Sequence, residues 1–145
     1  MDTQTRGEGG SAGKPHRARQ GLVLVVEGDA DVRDTIQLTL RRDYEVVSLA
    51  DGQGFLEAVE AYNPDLIILS SGLPEPQHDG YRMYAQLRAQ ARFRNIPVLF
   101  FAGRRGAGEA AFMKTLENHG DAYLTKPFGR EELLETATKL ITAAL

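Results

Sequence analysis

The run Pro64-Asp65-Leu66-Ile67-Ile68-Leu69-Ser70-Ser71-Gly72-Leu73-Pro74 decides the fold. Asp65 to Leu69 reads as a strand, with four apolar residues in succession. An unbroken apolar run bounded by turn residues marks a strand buried on both faces, as in a parallel sheet covered by helices. Ser70 then falls just past the carboxyl end of that strand, where open α/β sheets place their sites. The group it offers there is a hydroxyl.

Upstream, Leu22 to Val26 is a second apolar, β-branched run and predicts a central strand. The polar turn Glu27-Gly28-Asp29-Ala30-Asp31 follows, with Asp29 or Asp31 as N-cap of a helix whose stripe is Val32, Ile36 and Leu40. Tyr44 to Leu49 predicts another strand. Asp51 is expected to cap the next helix, which carries Phe55, Leu56, Val59 and Tyr62 and stops at Asn63-Pro64.

Downstream comes a loop, Ser71 to His78, then Asp79 as N-cap of a helix through Tyr81, Tyr84 and Leu87. Ile96 to Phe101 predicts the fourth strand and Gly103-Arg104-Arg105-Gly106 a mobile basic turn. A helix with Phe112 and Leu116 at i, i+4 ends near His119-Gly120, where glycine suits a left-handed cap. Asp121 to Leu124 is a short last strand. After Thr125-Lys126-Pro127-Phe128, the final helix puts Leu133, Leu134, Ala137, Leu140, Ile141 and Ala144 on one face. Five strands alternating with five helices imply an α/β fold: a doubly wound, five-stranded parallel sheet of order 2-1-3-4-5 with right-handed crossovers.

The 145 residues suit one domain, residues 21 to 145, preceded by a disordered tail at 1 to 20 that has almost nothing to bury. Lys14, His16, Arg17 and Arg19 in that tail read as a solvated leader rather than a docking arm. A net charge of -3 gives no argument for nucleic acid, and no apolar run reaches the length of a membrane span. No apolar signal-peptide core begins the chain. The lack of cysteine excludes disulfides and thiolate chemistry and fits a cytoplasmic location. His16, His78 and His119 show no ligand spacing. Glu27, Asp29 and Asp31 could be grouped as a metal cluster, but acids at a helix N-terminus are favoured in any case.

Val25-Val26-Glu27, Pro64 to Pro74, Asp79-Gly80, Ile96-Pro97-Val98 and Gly120 to Phe128 stand in the order and spacing of a response-regulator receiver domain. The chain from residue 21 onward resembles that CheY-like family. The resemblance implies a two-component signalling role in which a histidine kinase phosphorylates an aspartate ending the third strand. It also implies an acidic pair holding Mg²⁺, a Thr or Ser ending the fourth strand, and a lysine that binds phosphoryl oxygens. Glu27 and Lys126 match. Gly28 stands where the second acid is expected, Ser70 at the acceptor position and Ala102 at the hydroxyl position. The loop from Pro74 to Asp79 is about two residues longer than the pattern.

Each departure has a physical consequence. An acyl phosphate needs a carboxylate, and a serine hydroxyl needs a positioned base. Mg²⁺ wants carboxylate oxygens, yet Glu27 and Lys126 alone cancel in charge unless Asp29 turns inward. The expectation is a degenerate phosphorylation site at Glu27, Gly28, Ser70, Ala102 and Lys126, with no catalytic residue, no enzymatic activity, no cofactor and weak or absent Mg²⁺ binding. A direct Glu27–Lys126 ion pair is expected in its place. Asp65 cannot substitute, because five residues at about 3.3 Å each put it roughly 16 Å from the site.

The function expected is a stand-alone pseudo-receiver, a phosphorylation-independent protein-binding module. Its partner would be a histidine kinase, another signalling protein or a second copy of the chain, with no nucleic acid or membrane involved. By the same resemblance the partner face comprises Arg104, Arg105, Tyr123, Arg130 and Lys139. Tyr123 reads equally as an exposed contact or as a wall of the core. The alternatives are a phosphotransfer regulator with a cryptic acceptor, Ser70 (with Glu27 as base) or Asp79, and a small-molecule sensor, which would need an apolar cavity above Ser70.

Overall fold

The computed structural model describes residues 20–73, 79–103 and 109–145. Strand β1 (Leu22–Val26) leads to α1 (Ala30–Leu40), β2 (Glu45–Leu49) to α2 (Phe55–Tyr62), and β3 (Leu66–Ser70) to α3 (Gly80–Arg88). A 3₁₀ turn, Ala91–Phe93, precedes β4 (Val98–Ala102), and α4 (Glu109–Asn118), β5 (Ala122–Thr125) and α5 (Arg130–Ala143) complete the chain. The five strands are parallel in the order β2-β1-β3-β4-β5. Both the doubly wound class and the strand order expected from the alternation are therefore observed.

Every residue of β3 and β4 is buried, as two-sided cover requires. Alternate residues feed separate cores because successive side chains point to opposite faces. Leu24, Val26, Ile67, Leu69, Val98, Phe100 and Ala102 pack with Phe55, Val59, Met83, Tyr84, Leu87 and Leu116 of α2, α3 and α4. Val23, Val25, Leu66, Ile68, Leu99, Phe101 and Leu124 pack with Ile36, Leu40, Leu133, Ala137 and Ile141 of α1 and α5. Tyr62, placed on the apolar stripe of α2 by spacing, is 46% exposed.

The observed β3, β4 and β5 begin one or two residues later than the hydropathy suggests. At β3 the cause is visible: Asp65 Oδ2 accepts from Leu22 N at 2.9 Å, so Asp65 braces the start of β1 before the strand proper begins. The close fit there also accounts for Gly21, whose φ is +151° and whose missing Cβ would lie 2.7 Å from Asp65 Oδ2. Asp51 does not cap α2. Its Oδ1 accepts from Gln53 N at 2.9 Å to make a local turn, and Gly54, at φ 72°, takes the N-cap position without a side-chain bond. Asp29 and Asp79 do cap α1 and α3, accepting from Asp31 N and Arg82 N at 2.8 Å each. Asn63 closes α2 in the left-handed region, and Gly120 follows α4 with φ 76°. The tail at 1–19, with His16, and His78 lie outside the described residues, as do the two prolines of the loop.

Candidate functional site

The carboxyl ends of β1, β3 and β5 bring Glu27, Ser70 and Lys126 together. Ser70 is the last residue of β3 rather than the first of the loop, and it pairs with Phe101. Lys126 follows β5, held by its own N–H on Ala102 O at 2.9 Å, and its peptide bond to Pro127 is cis. Its ammonium lies 2.7 Å from Glu27 Oε1 and donates to Ser70 Oγ at 3.1 Å. The expected ion pair is present, and it reaches the acceptor position as well.

Glu27 is 1% exposed and Lys126 23% exposed at the side chain. Glu27 Oε2 accepts from Asp29 N at 3.0 Å. Oε1 meets the ammonium at ion-pair distance but without the alignment of a hydrogen bond, so among the described residues it has no directed donor. The 2.7 Å separation sets the strength of this contact, because Coulomb attraction depends on distance rather than on hydrogen-bond angle. Arg33 Nη1 donates to Glu27 O at 2.8 Å and fixes the turn from β1 into α1. Asp29 is committed to its cap, with Oδ1 serving Asp31 N and Val32 N.

Among the described residues, Ser70 Oγ accepts from two donors. Besides Lys126 Nζ, Gly72 N approaches it at 3.4 Å. Gly80, the first residue of α3, lies directly behind it: a Cβ there would sit 2.1 Å from Ser70 O and 2.8 Å from its carbonyl carbon. That backbone contact is why an Asp-Gly pair stands at the entry to α3, the aspartate as cap and the glycine as spacer. Ala102 is fully buried and pairs with Thr125 across β4 and β5.

Of the residues assigned to a partner face, Arg104 and Arg105 lie outside the described residues. Tyr123 is half-buried and faces α4, its ring stacked at 6.3 Å and 19° on Phe100. It is both a wall of the core and a partly accessible side chain. Arg130 points across to α1, donating Nε to Thr39 Oγ1 at 3.2 Å, while Lys139 is exposed on α5. A cavity of about 250 Å³ opens at the other end of the sheet, lined by Arg94, Asn95, Ile96, His119 and Asp121, not above Ser70.

That far end also holds a polar cluster not anticipated from the sequence. Asp121 accepts from Tyr84 OH at 2.5 Å, from Arg88 Nη2 at 2.9 Å and from Val98 N at 2.9 Å. Arg88 Nη2 also donates to Ile96 O at 2.7 Å, and Arg88 Nη1 to Phe93 O at 3.2 Å. Burial, then the neighbouring Asp121 carboxylate, push the Tyr84 hydroxyl well above its usual range. The signal available beforehand was weak: an acid between the cap glycine and a strand, and a lone arginine ending α3.

Comparison with known proteins agrees with the fold. Residues 23–138 match the response regulator receiver domain model. The chain is 36% identical over 121 residues to hybrid signal transduction histidine kinase D of Dictyostelium discoideum, covering 83% of this chain and 8% of that one. It is 32% identical over 113 residues to response regulator Rre1 of Synechocystis, covering 77% and 47%. It thus spans about half the length of Rre1 and a small part of the kinase. Protein PilG of Pseudomonas aeruginosa is 28% identical over 113 residues, covering 77% of this chain and 81% of PilG. A Chloroflexus aurantiacus chain described as a response regulator superposes with a TM-score of 0.72 at 26% identity, covering 84% of this chain and 98% of that one. The Francisella response regulator 1452 receiver domain, at 23% identity, shares the fold with a TM-score of 0.73 over 87% of this chain and all of that one. On its fold, its five motif segments and these matches, the chain belongs to the response regulator receiver domain family.

Proposed function

We propose that this receiver domain works as a pseudo-receiver, a protein-docking module that signals without an aspartyl phosphate. The observation that carries the reading is the Lys126 ammonium seated between Glu27 Oε1 and Ser70 Oγ. A phosphoryl acceptor at this strand end would have to be a nucleophile, and Ser70 offers a neutral alcohol whose partners among the described residues are donors. General-base activation requires an acceptor within hydrogen-bond reach of that hydroxyl. Glu27 has one oxygen on Asp29 N and the other against Lys126, so it is poorly placed for that work.

The Mg²⁺ that the family implies does not fit the donor set. One buried carboxylate is already neutralised, Gly28 supplies no side chain, and Ser70 brings no charge. Mg²⁺ gives up its waters reluctantly and is held through carboxylates and phosphate oxygens. Asp79, the other acceptor considered, keeps Oδ1 on Arg82 N and supports α3 instead.

A module of this kind presents one surface state to its partner, and control comes from abundance or competition. The receiver family implies a histidine kinase or another signalling protein as partner, and we propose a cytoplasmic location for the module. Among the described residues no helix is long and apolar enough to cross a membrane. Beryllofluoride with Mg²⁺, a phosphoryl mimic, tests the reading by backbone amide NMR. Unchanged resonances for Glu27, Ser70 and Tyr123 are expected; saturable shifts at those positions would overturn it.

A further inference from the structure

We infer that Lys126 serves as a tethered counter-ion that fills the place of a divalent cation, and that its occupancy, not only the shortage of acids, keeps metal out. The inference deepens the pseudo-receiver reading and rests on it for the identity of the site. Three observations point the same way. Glu27 is a carboxylate with 1% exposure, and a buried charge must be compensated where it stands. The ammonium sits at 2.7 Å, a distance at which the pair is effectively neutral to an approaching ion. Among the described residues, Glu27 Oε1 nevertheless has no aligned donor and retains lone-pair capacity, which is the feature a spherical cation can use and a directed hydrogen bond does not.

The second contact of the ammonium explains why it stays. Ser70 Oγ accepts from it at 3.1 Å, where a carboxylate would instead compete to draw a metal in. Removing the lysine charge leaves the buried Glu27 carboxylate without its paired ammonium beside a hydroxyl oxygen, with Asp29 two residues away. A divalent ion that keeps most of its waters is then the nearest available compensation. Shortage of ligands alone predicts a different result, because deleting a lysine adds no ligand.

The test uses Mn²⁺ as probe and reads paramagnetic broadening of backbone amides in the full chain. The wild-type protein is expected to show no selective broadening at Glu27, Gly28 and Ser70 at millimolar Mn²⁺. Lys126→Met is expected to show it, with an apparent affinity at least about tenfold higher. Lys126→Leu, which likewise removes the charge and adds no oxygen ligand, gives the same comparison if the methionine variant loses dispersed amide resonances. Selective broadening in the wild type would show that the lysine does not occupy the cation's place. Folded Lys126 variants without gained broadening would show that missing acids alone explain the exclusion. Both results overturn the inference while leaving the absence of phosphorylation to be judged separately by mass.

Discussion

Replacing Asp121 by alanine removes the acceptor on which three groups converge, Tyr84 OH, the Arg88 guanidinium and Val98 N. Arg88, 7% exposed at the side chain, would lose its only carboxylate among the described residues and keep the carbonyls of Phe93 and Ile96. Breaking a buried pair by deleting one partner costs about 3–5 kcal/mol. Tyr84 OH and Val98 N lose the same acceptor, and an unsatisfied buried polar group costs roughly 1–3 kcal/mol. These losses share one carboxylate and do not add in full. A net cost of about 4–6 kcal/mol follows, a large part of the roughly 5–15 kcal/mol that holds a domain together. Urea unfolding with an unchanged m-value measures it. The double replacement Arg88→Met with Asp121→Leu should recover about half or more of the loss, because an apolar pair leaves no stranded charge. A cost for Asp121→Ala below about 1 kcal/mol would refute the reasoning, and so would a double variant as unstable as the sum of its parts.

Tyr84 makes the same cluster sensitive to alkali. Its hydroxyl is held protonated in the folded state beyond its ordinary value of 10.0, so unfolding releases a proton above that pH. The stability it contributes is present below pH 10 and is lost as the pH rises through the folded value. Denaturant titrations from neutral to alkaline pH should show a steeper decline in the wild type than in Tyr84→Phe; parallel curves would count against the contact. Gly80→Ala should cost about 1–3 kcal/mol or more, because its Cβ meets Ser70 O at 2.1 Å and must push α3 off β3; a neutral effect in urea unfolding would mean the helix start is loosely packed. Ser70→Asp alone should take up no phosphoryl group from acetyl phosphate and Mg²⁺, since Gly28 and Ala102 still supply neither ligand nor hydroxyl; efficient phosphorylation of that variant, by intact mass, would show that the site is deficient at one position only.

The fold was legible because its signal is redundant. Leu22 to Val26, Leu66 to Leu69 and Val98 to Phe101 are short apolar runs bounded by turn residues, a pattern that fits strands covered on both faces. The strand limits were less legible, since Asp65 and Asp121 stand at strand starts by sequence but spend their carboxylates on β1 and on Arg88. Asp51 misled for a related reason: a turn bond to Gln53 N and a helix cap draw on the same residue types. At the site, the charge balance of Glu27 against Lys126 was readable from the motif positions, and the pair is there at 2.7 Å. The reach of Lys126 to Ser70 was not, because it depends on how β5 returns the chain beside β4. Arg88 and Asp121 are 33 residues apart and meet only through the packing of α3 against the lower edge of the sheet. No local pattern records such a contact.

The central claim, that an alcohol beside a paired lysine cannot take the phosphoryl group, is tested most directly by the intact mass of the wild-type chain after incubation with acetyl phosphate and Mg²⁺. An unchanged mass is predicted. A stoichiometric adduct of about 80 Da, the mass of one phosphoryl group, would contradict the account.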